Sequence, residues 1–446
     1  MNKFSLPEGV ETVIERLYES GYEAYAVGGC VRNFLLGIEP KDFDVTTSAT
    51  PDEIKKALSD FRLIETGIKY GTVTVISRGM PIEVTTYRID GDYSDNRRPE
   101  NVTFTTKLAE DLKRRDFTVN AMAYNTRTGI IDIFGGRSDL QNGVIRAIGD
   151  PDERFGEDGL RILRALRFSS CYGLKIEPAT SDSIHRNKRL LENISGERIA
   201  SELNKLICGE CGNILREYYD VISVFLPEFA ACHGFEQHTK YHDRDVMEHI
   251  ISTVCASEPK LELRLAMLLH DIGKPMYFTM GEDGIGHFKG HAKGSTAIAE
   301  SFFRRLKYSN AISERVSVLI QTHDILIENR ENLIKRYLNR YGEDVFFDMI
   351  KVHIADDMAK APESRERIKT YRAAAETARK IIAEKQCFSL KQLAVNGRDI
   401  MALGYEGAEI GEKLDMLLEL VIDEKCENSK DALIGVLKTE KSGGDK

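Results

Sequence analysis

Runs that alternate apolar and β-branched residues stop at about residue 145, and that boundary constrains the fold more than any other feature of the chain. Before it lie AYAV at 24–27, FDVTT at 43–47, TVTVIS at 72–77 and IEVTTYR at 82–88, set among amphipathic stretches at 8–20 and from Cys30 onward. A period of two fits strands and a period near 3.6 fits helices, so this part predicts an α/β domain. After Asp150 the pattern is helical almost to the end, which predicts an α-helical extension.

Composition narrows the class. At 42% hydrophobic and 30% charged residues the chain of 446 residues is globular rather than disordered. Its net charge of −9 excludes a surface that is basic everywhere, so a nucleic-acid partner would have to meet local arginine and lysine patches. The N-terminal stretch has no secretory apolar run, and the most apolar later segment, LDMLLELVI, carries Asp415 and Glu419. We therefore expect a cytoplasmic protein without a membrane partner; no feature specifies an oligomeric state. Eight cysteines are scattered, and Cys208 and Cys211 lack a second matched pair, so neither disulfides nor a zinc site is expected. Histidines are not scattered: eight of the ten fall between His233 and His323.

Two patterns carry chemistry near the N-terminus. Gly28 and Gly29 sit between a predicted strand and a predicted helix, where backbone N–H groups can approach a phosphate, with Arg32 in the first turn. Asp42 and Asp44 flank Phe43 at the start of the next strand, which sends both carboxylates to one face. Two acids on one face repel unless a cation lies between them, and hard oxygens suit Mg²⁺ of the kind used in pairs for nucleotidyl transfer. Glu83 is a candidate third carboxylate, though a surface acid at a strand end fits equally.

The series GGCVRN, DFDV, LKRRDFTVNAMAY (112–124), DIFGGRSDLQNGVIR (132–146), RFGEDGLRILRALRF (154–168) and SGERIASEL (195–203) resembles the nucleotidyltransferase head of class II CCA-adding enzymes and their bacterial poly(A) polymerase relatives. The resemblance implies an α+β protein: a head with a mixed sheet at 1–145, a base-recognising neck at 146–205, a helical body at 206–237, a metal-binding HD domain at 238–335 and a tRNA-binding tail at 336–446. It implies catalysis by Asp42 and Asp44 with Mg²⁺, and CTP, ATP and the tRNA 3′ end as partners. Glu157, Asp158 and Arg161 match the positions that face the incoming base. Their chemistry fits, because a carboxylate accepts from the exocyclic amine of C or A while a guanidinium donates to a ring acceptor. Arg164, Arg167, Arg114 and Arg115 could reach the triphosphate, though Arg167 fits a structural role as well. Asp116 and Asn120 would fix the ribose or brace the arginines. Asn33 departs from the family's usual Asp and is left out of the catalytic set.

From Glu157 to Phe168 the spacing predicts one helix with a charged face opposite Leu160, Ile162, Leu163 and Leu166. The segment 88–111 is expected to be a mobile loop; the family uses such a loop to switch from C to A, and its full length favours complete CCA addition over CC alone. The histidine-rich stretch, with His249, His270-Asp271, His287, His291 and His323-Asp324, resembles the HD phosphohydrolase domain fused to some bacterial members. His249, His270, Asp271 and Asp324 are the expected ligands of a divalent metal whose identity the ligands do not define, His291 and His323 are secondary, and His185, His233 and His353 are expected to pack or face solvent. Hydrolysis of nucleotide or RNA 2′,3′-cyclic ends, or a structural role, both fit such a site. The turn near Gly411 could contact phosphate at a helix N-terminus or simply cap it. Poly(A) synthesis and tRNA binding without catalysis are the remaining alternatives.

Overall fold

The computed structural model describes residues 5–91, 101–239 and 244–443, which divide into two compact units. One comprises Met1–Ala230 with Arg305–Lys307, the other Ala231–Arg304 with Tyr308–Lys446.

In the first unit, α1 (Glu8–Glu19) buries Val10, Val13, Ile14 and Leu17 along one stripe, as their three- and four-residue spacing requires. β1 (Ala24–Val27), α2 (Gly29–Leu35), β2 (Asp44–Thr47) and α3 (Pro51–Ala57) follow. β3 (Arg62–Ile64), β4 (Thr72–Ser77) and β5 (Met80–Thr86) come next, and β6 (Arg88–Asp90) pairs with β7 (Val102–Phe104) in a separate ladder. After α4 (Leu108–Lys113), β8 (Met122–Asn125) and β9 (Gly129–Asp132) complete a seven-stranded sheet of order β3-β4-β5-β2-β1-β8-β9. β2 and β5 run parallel and the other neighbours antiparallel, so the sheet is mixed. β2 is the central strand, and β1 beside it has all four residues buried. Tyr25, Val27, Tyr87, Leu112 and Ala123 form a core on the face covered by α4.

The parallel register sets Asp44 opposite Glu83. The segment 88–111 is not wholly a loop: its ends are β6, β7 and part of α4, while 92–100 lie outside the described residues. Helices α5 (Gly136–Gln141), α6 (Pro151–Glu157), α7 (Leu160–Tyr172), α8 (Pro178–Asn187) and α9 (Gly196–Ile207) continue the unit, with short α10 (Gly212–Glu217) and α11 (Tyr219–Ile222). The single helix expected from Glu157 to Phe168 is broken. Asp158 is extended (φ −142°, ψ 104°), its Oδ1 accepts from the Leu160 N–H at 3.1 Å, and Gly159 lies so close to Leu190 that a Cβ would sit 3.0 Å from its carbonyl. An Asp-Gly pair is a cap and a break, and that local chemistry overrides the helical period.

Through α12 (Pro227–Cys232) the chain enters the second unit, which contains α13 (Val246–Ala256), α14 (Leu261–Leu269), α15 (His291–Arg305), α16 (Asn310–Thr322), α17 (Glu331–Tyr341), α18 (Glu343–Ala359) and α19 (Arg367–Ala383). α14 is buried all round from Leu263 to Leu269 and packs with α13, α16 and α18. Thus α18, placed by the sequence in the tail, belongs to the same helical cluster as the histidine-bearing helices. Farther on lie α20 (Gly397–Met401), α21 (Ala408–Ile422) and α22 (Lys430–Gly443), around Ile400, Leu417, Ile422, Leu433 and Leu437. Gly411 falls inside α21, which opens at Gly407 with φ +58°, so the helix start lies four residues before the expected turn. Among the described residues no helix is long and apolar enough to cross a membrane.

Candidate active site

The first unit has a cleft of about 550 Å³ whose lining includes Gly28, Gly29, Arg32, Asp42, Asp44, Arg115, Asp116, Asn120, Arg164 and Arg167. Asp42 and Asp44 are exposed and Phe43 between them is buried, the alternation expected of an extended segment, although Asp42 precedes the first residue of β2. Glu83, also exposed, stands beside Asp44 on β5. Crowding by surrounding protein raises the Asp44 carboxyl above its usual range, Arg115 opposes this, and the Glu83 and Asp42 charges reinforce it. Three carboxylates gathered at one lip are a hard-oxygen donor set that fits Mg²⁺.

The opposite wall is cationic. Gly28 has φ +79°, and a Cβ there would meet Arg115 Nη1 at 3.0 Å, so glycine both permits the turn and admits the guanidinium. Arg115 Nε is buried without a hydrogen-bond partner. Arg32 is 5% exposed and donates to Asn120 Oδ1 (2.5 Å), Asn33 Oδ1 (2.8 Å) and the Tyr172 hydroxyl (2.8 Å). Asn120 donates to Asp116 Oδ1 (2.9 Å), and Asp116 Oδ2 accepts from Arg164 Nε (2.7 Å). Burial works against the Asp116 charge, but Arg164, Asn120 and Arg161 outweigh it and hold the carboxyl at about 2. Asp116 and Asn120 therefore brace arginines here. Guanidiniums of Arg32, Arg164 and Arg167 all lie within 4.1–5.2 Å of the buried Phe168 ring, and Arg167 also pairs with Glu202 (3.1 Å).

Other expected nucleotide contacts lie elsewhere. Arg114 is bound to Asp111 (2.7 Å) and does not line the cleft. Glu157, Asp158 and Arg161 do not line it either. Glu157 is paired with Arg154 (2.7 Å) and Arg161, Arg161 also donates to Arg114 O (2.9 Å), and Asp158 Oδ2 accepts from Arg198 (2.8 Å). The helix break accounts for this: Asp158 points along the α7 start rather than down its charged face.

A second cluster lies in the second unit. His249, His270 and Asp271 bring ligand atoms within 4.8 Å of one another, as do Asp271, His291 and His323. Asp356 on α18 joins the first group, with Oδ1 3.1 Å from His249 Nε2. Asp324, expected as a ligand, is exposed, lines the adjoining pocket and stands outside both groups, whereas Asp356 lies against His249. Its signal was an acid pair, Asp356-Asp357, in an otherwise apolar helical stretch far from the histidines. Burial lowers the affinity of His270 for a proton, while His270 and Lys274 overcome burial to hold Asp271 well below the usual carboxylate range. His353 is buried between the Met349 and Ile325 carbonyls, His185 stacks on Tyr218, and His233 and His287 are outside the cluster.

Mixed sheet, carboxylate lip and arginine wall define a nucleotidyltransferase-type head, and the chain matches the model of the poly A polymerase head domain over residues 24–146. It also matches the probable RNA- and SrmB-binding site of polymerase A over 173–232 and tRNA nucleotidyltransferase domain 2 over 280–437. CCA-adding enzymes of Lactobacillus helveticus and Levilactobacillus brevis are each 34% identical to it, over 94% and 97% of this chain and 94% and 98% of their own lengths. The Bacillus stearothermophilus CCA-adding enzyme, solved in complex with CTP, superposes with a TM-score of 0.69 at 27% identity, covering 98% of both chains. With this likeness running from end to end, the chain belongs to the CCA-adding enzyme family.

Proposed function

We propose that the chain adds C, C and A to the 3′ end of tRNA without a nucleic-acid template. The carrying observation is the juxtaposition, in one cleft, of Asp42 and Asp44 with a braced arginine wall and the Gly28 opening, with Glu83 opposite Asp44 on the neighbouring strand. Arg115, Arg164 and Arg32 bind the triphosphate of CTP or ATP and aim its α-phosphorus at the acidic lip. The ribose 3′-oxygen attacks that phosphorus, the α–β P–O bond breaks, and pyrophosphate leaves. Asp42 and Asp44, with Glu83 as a third donor, would hold Mg²⁺, which supplies charge neutralisation for the attacking and leaving oxygens. Asp158 and Arg161 read the base after exchanging Arg198 and Glu157 for its Watson–Crick edge, each good bidentate contact discriminating by about 1–3 kcal/mol. Eight free thiols, none in a disulfide, are consistent with work in the cytoplasm.

Incorporation of each labelled NTP into tRNA lacking its CCA end tests the reading. C followed by a single A supports it; an unlimited A tail without C favours a poly(A) polymerase.

The second unit supports a further reading. The imidazole and carboxylate cluster would hold a divalent first-row cation, as the resemblance to HD domains implies. With a metal bound such a site supplies an activated water, whose oxygen would attack a 2′,3′-cyclic phosphate and open it to a monoester. Opening of a 2′,3′-cyclic phosphate to its monoester that survives Asp44→Asn and is lost in Asp271→Asn supports this activity; no opening leaves the cluster a structural metal site.

A further inference from the structure

We infer that Asp111, a buried acid that does not line the cleft, is a positioning residue for nucleotide binding: it holds the Arg115 guanidinium back from Asp44, so that its donors face the triphosphate. This rests on the nucleotidyl-transfer reading given above. The arginines of the wall are not held alike. Arg32 is fixed by hydrogen bonds to Asn120, Asn33 and Tyr172, and Arg164 by its bond to Asp116. Arg115 has no such brace. Among the described residues its guanidinium donates no hydrogen bond to the protein, its Nε is buried without a partner, and its one ion pair is with Asp111, Nη2 lying 3.6 Å from Oδ2. A guanidinium held by charge alone rests where the surrounding charges balance.

Two aspartates compete for it. Gly28 follows Val27, which lies opposite Asp44 in the sheet, and a Cβ at Gly28 would meet Arg115 Nη1 at 3.0 Å. The guanidinium therefore stands beside the acidic lip, where its charge favours ionisation of Asp44. Asp111 pulls from the other side. It lies on α4, 0% exposed, and its Oδ2 accepts from Thr46 Oγ1 at 3.0 Å. Thr46 is two residues beyond Asp44, on the same face of β2. Oδ1 is occupied separately, by Arg114 Nε and Nη2 at 3.0 and 2.7 Å and by the Arg88 N–H at 3.4 Å. One oxygen thus satisfies Arg114, while the other serves Thr46 and Arg115.

Without the Asp111 charge, Arg114 and Arg115 would lose the anion they share and repel one another. Arg114 would keep Asp90, 3.6 Å away. Arg115 would turn to the acids of the lip, occupying a carboxylate oxygen that a metal ion needs and drawing its donors away from the phosphates. Asparagine at this position isolates the charge. Its Oδ1 can still accept from Arg114, and its Nδ2 can donate to Thr46 Oγ1, whose own hydrogen has the Thr85 carbonyl at 3.2 Å. Shape and hydrogen bonds stay while the pull on Arg115 goes.

Equilibrium dialysis of labelled CTP against the full chain in Mg²⁺ tests the assignment directly, apart from turnover. Asp111→Asn should weaken CTP binding roughly tenfold. Arg115→Met should weaken it as much, and Asp111→Asn combined with Arg115→Met no further, because the acid acts only through that guanidinium. Incorporation into truncated tRNA should fall for CTP and ATP alike, by up to about 10²-fold, with the preference for C over U unchanged. If a buried Arg114 without its partner unfolds Asp111→Asn, the double variant Asp111→Asn/Arg114→Met removes that pair as a unit and should show the same loss of CTP binding. CTP binding that stays at the wild-type level in the folded variant, or a loss that Asp111→Asn still causes in the Arg115→Met background, overturns the inference and spares the nucleotidyl-transfer reading. A wild-type chain that binds no CTP overturns both.

Discussion

The cleft of the first unit and the cluster of the second are both built around aspartates, yet they treat charge in opposite ways. Asp42, Asp44 and Glu83 stand at an exposed strand lip and bring only oxygen donors. Asp271 and Asp356 are 2% and 4% exposed, sit on or beside helices, and share their space with four imidazoles. An open oxygen site lets a weakly held, exchangeable ion arrive with its nucleotide, whereas a dry nitrogen-rich site retains a softer ion independently of substrate. The difference comes from secondary structure: the end of a strand presents acids to solvent every second residue, while packed helices bring residues distant in sequence into a desolvated centre.

The sharpest way to break this contrast is Asp44→Asn. If the lip is the reaction centre, incorporation of CTP and ATP into truncated tRNA falls roughly 10³-fold, equivalent to about 4 kcal/mol of transition-state stabilisation. Metal held by the imidazole cluster of the second unit should not change. A variant keeping more than about a tenth of its rate would separate the lip from the chemistry. Next in size is metal removal: after complete chelation, Mg²⁺ alone should restore nucleotide incorporation to within about twofold, while imidazole-bound metal stays absent. Recovery that demands a transition metal would mean the two centres are functionally joined.

How much of this was legible in sequence follows the same division. Strands β1, β2, β4 and β5 could be read from their alternation, and so could the Asp42–Asp44 pair, because period-two patterns are local. The short strands β3, β8 and β9 were missed: three or four residues without strong alternation carry little signal. Within the site, Gly28 and Arg115 are visible as motifs and bracing of the arginines is one of the two roles the motif offers Asn120, but the contact of Arg32 with Tyr172 is not legible, since it joins residues 140 positions apart. Likewise Asp324, which adjoins a histidine in sequence, reads as a ligand, whereas no adjoining histidine marks Asp356. Helix packing brings Asp356 to the centre instead. The break at Asp158-Gly159 was written in the sequence and lost to a stronger periodic pattern.

Arginine bracing sharpens the comparison from the cleft side. Arg164 gives Nε and Nη2 to Asp116, at 2.7 and 2.5 Å, while its guanidinium lies 5.2 Å from the Phe168 centroid. Lysine keeps the charge but not the fork or the stacking, so Arg164→Lys should lower kcat/KM for both nucleotides about 10–100-fold. Phe168→Leu removes a ring shared by three guanidiniums while preserving apolar bulk. At about 0.5–2 kcal/mol for a desolvated cation–π contact, KM for CTP and ATP should rise roughly 3–30-fold. Phe168→Tyr should recover most of the loss. Equal effects of Leu and Tyr would assign the ring to packing alone.

The smallest expected effect concerns stability. Asp116 is 7% exposed and its carboxyl is held at about 2, below the usual 3.8. A depressed folded-state pKa means the unfolded chain binds the proton more tightly, so the stabilisation is fully present above about pH 5 and is lost as pH falls through 4 towards 2. Nearly two pH units correspond to roughly 2 kcal/mol. Urea unfolding of wild type and Asp116→Asn should therefore differ most near neutrality, with the gap closing by about that amount towards pH 2. Asparagine keeps a hydrogen-bonding oxygen for Arg164 but cannot titrate, so the pH dependence of the gap isolates the charge. A gap that stays constant with pH would show that Asp116 braces the arginine wall by geometry, and the electrostatic contrast between the two units would then rest on the metal-binding acids alone.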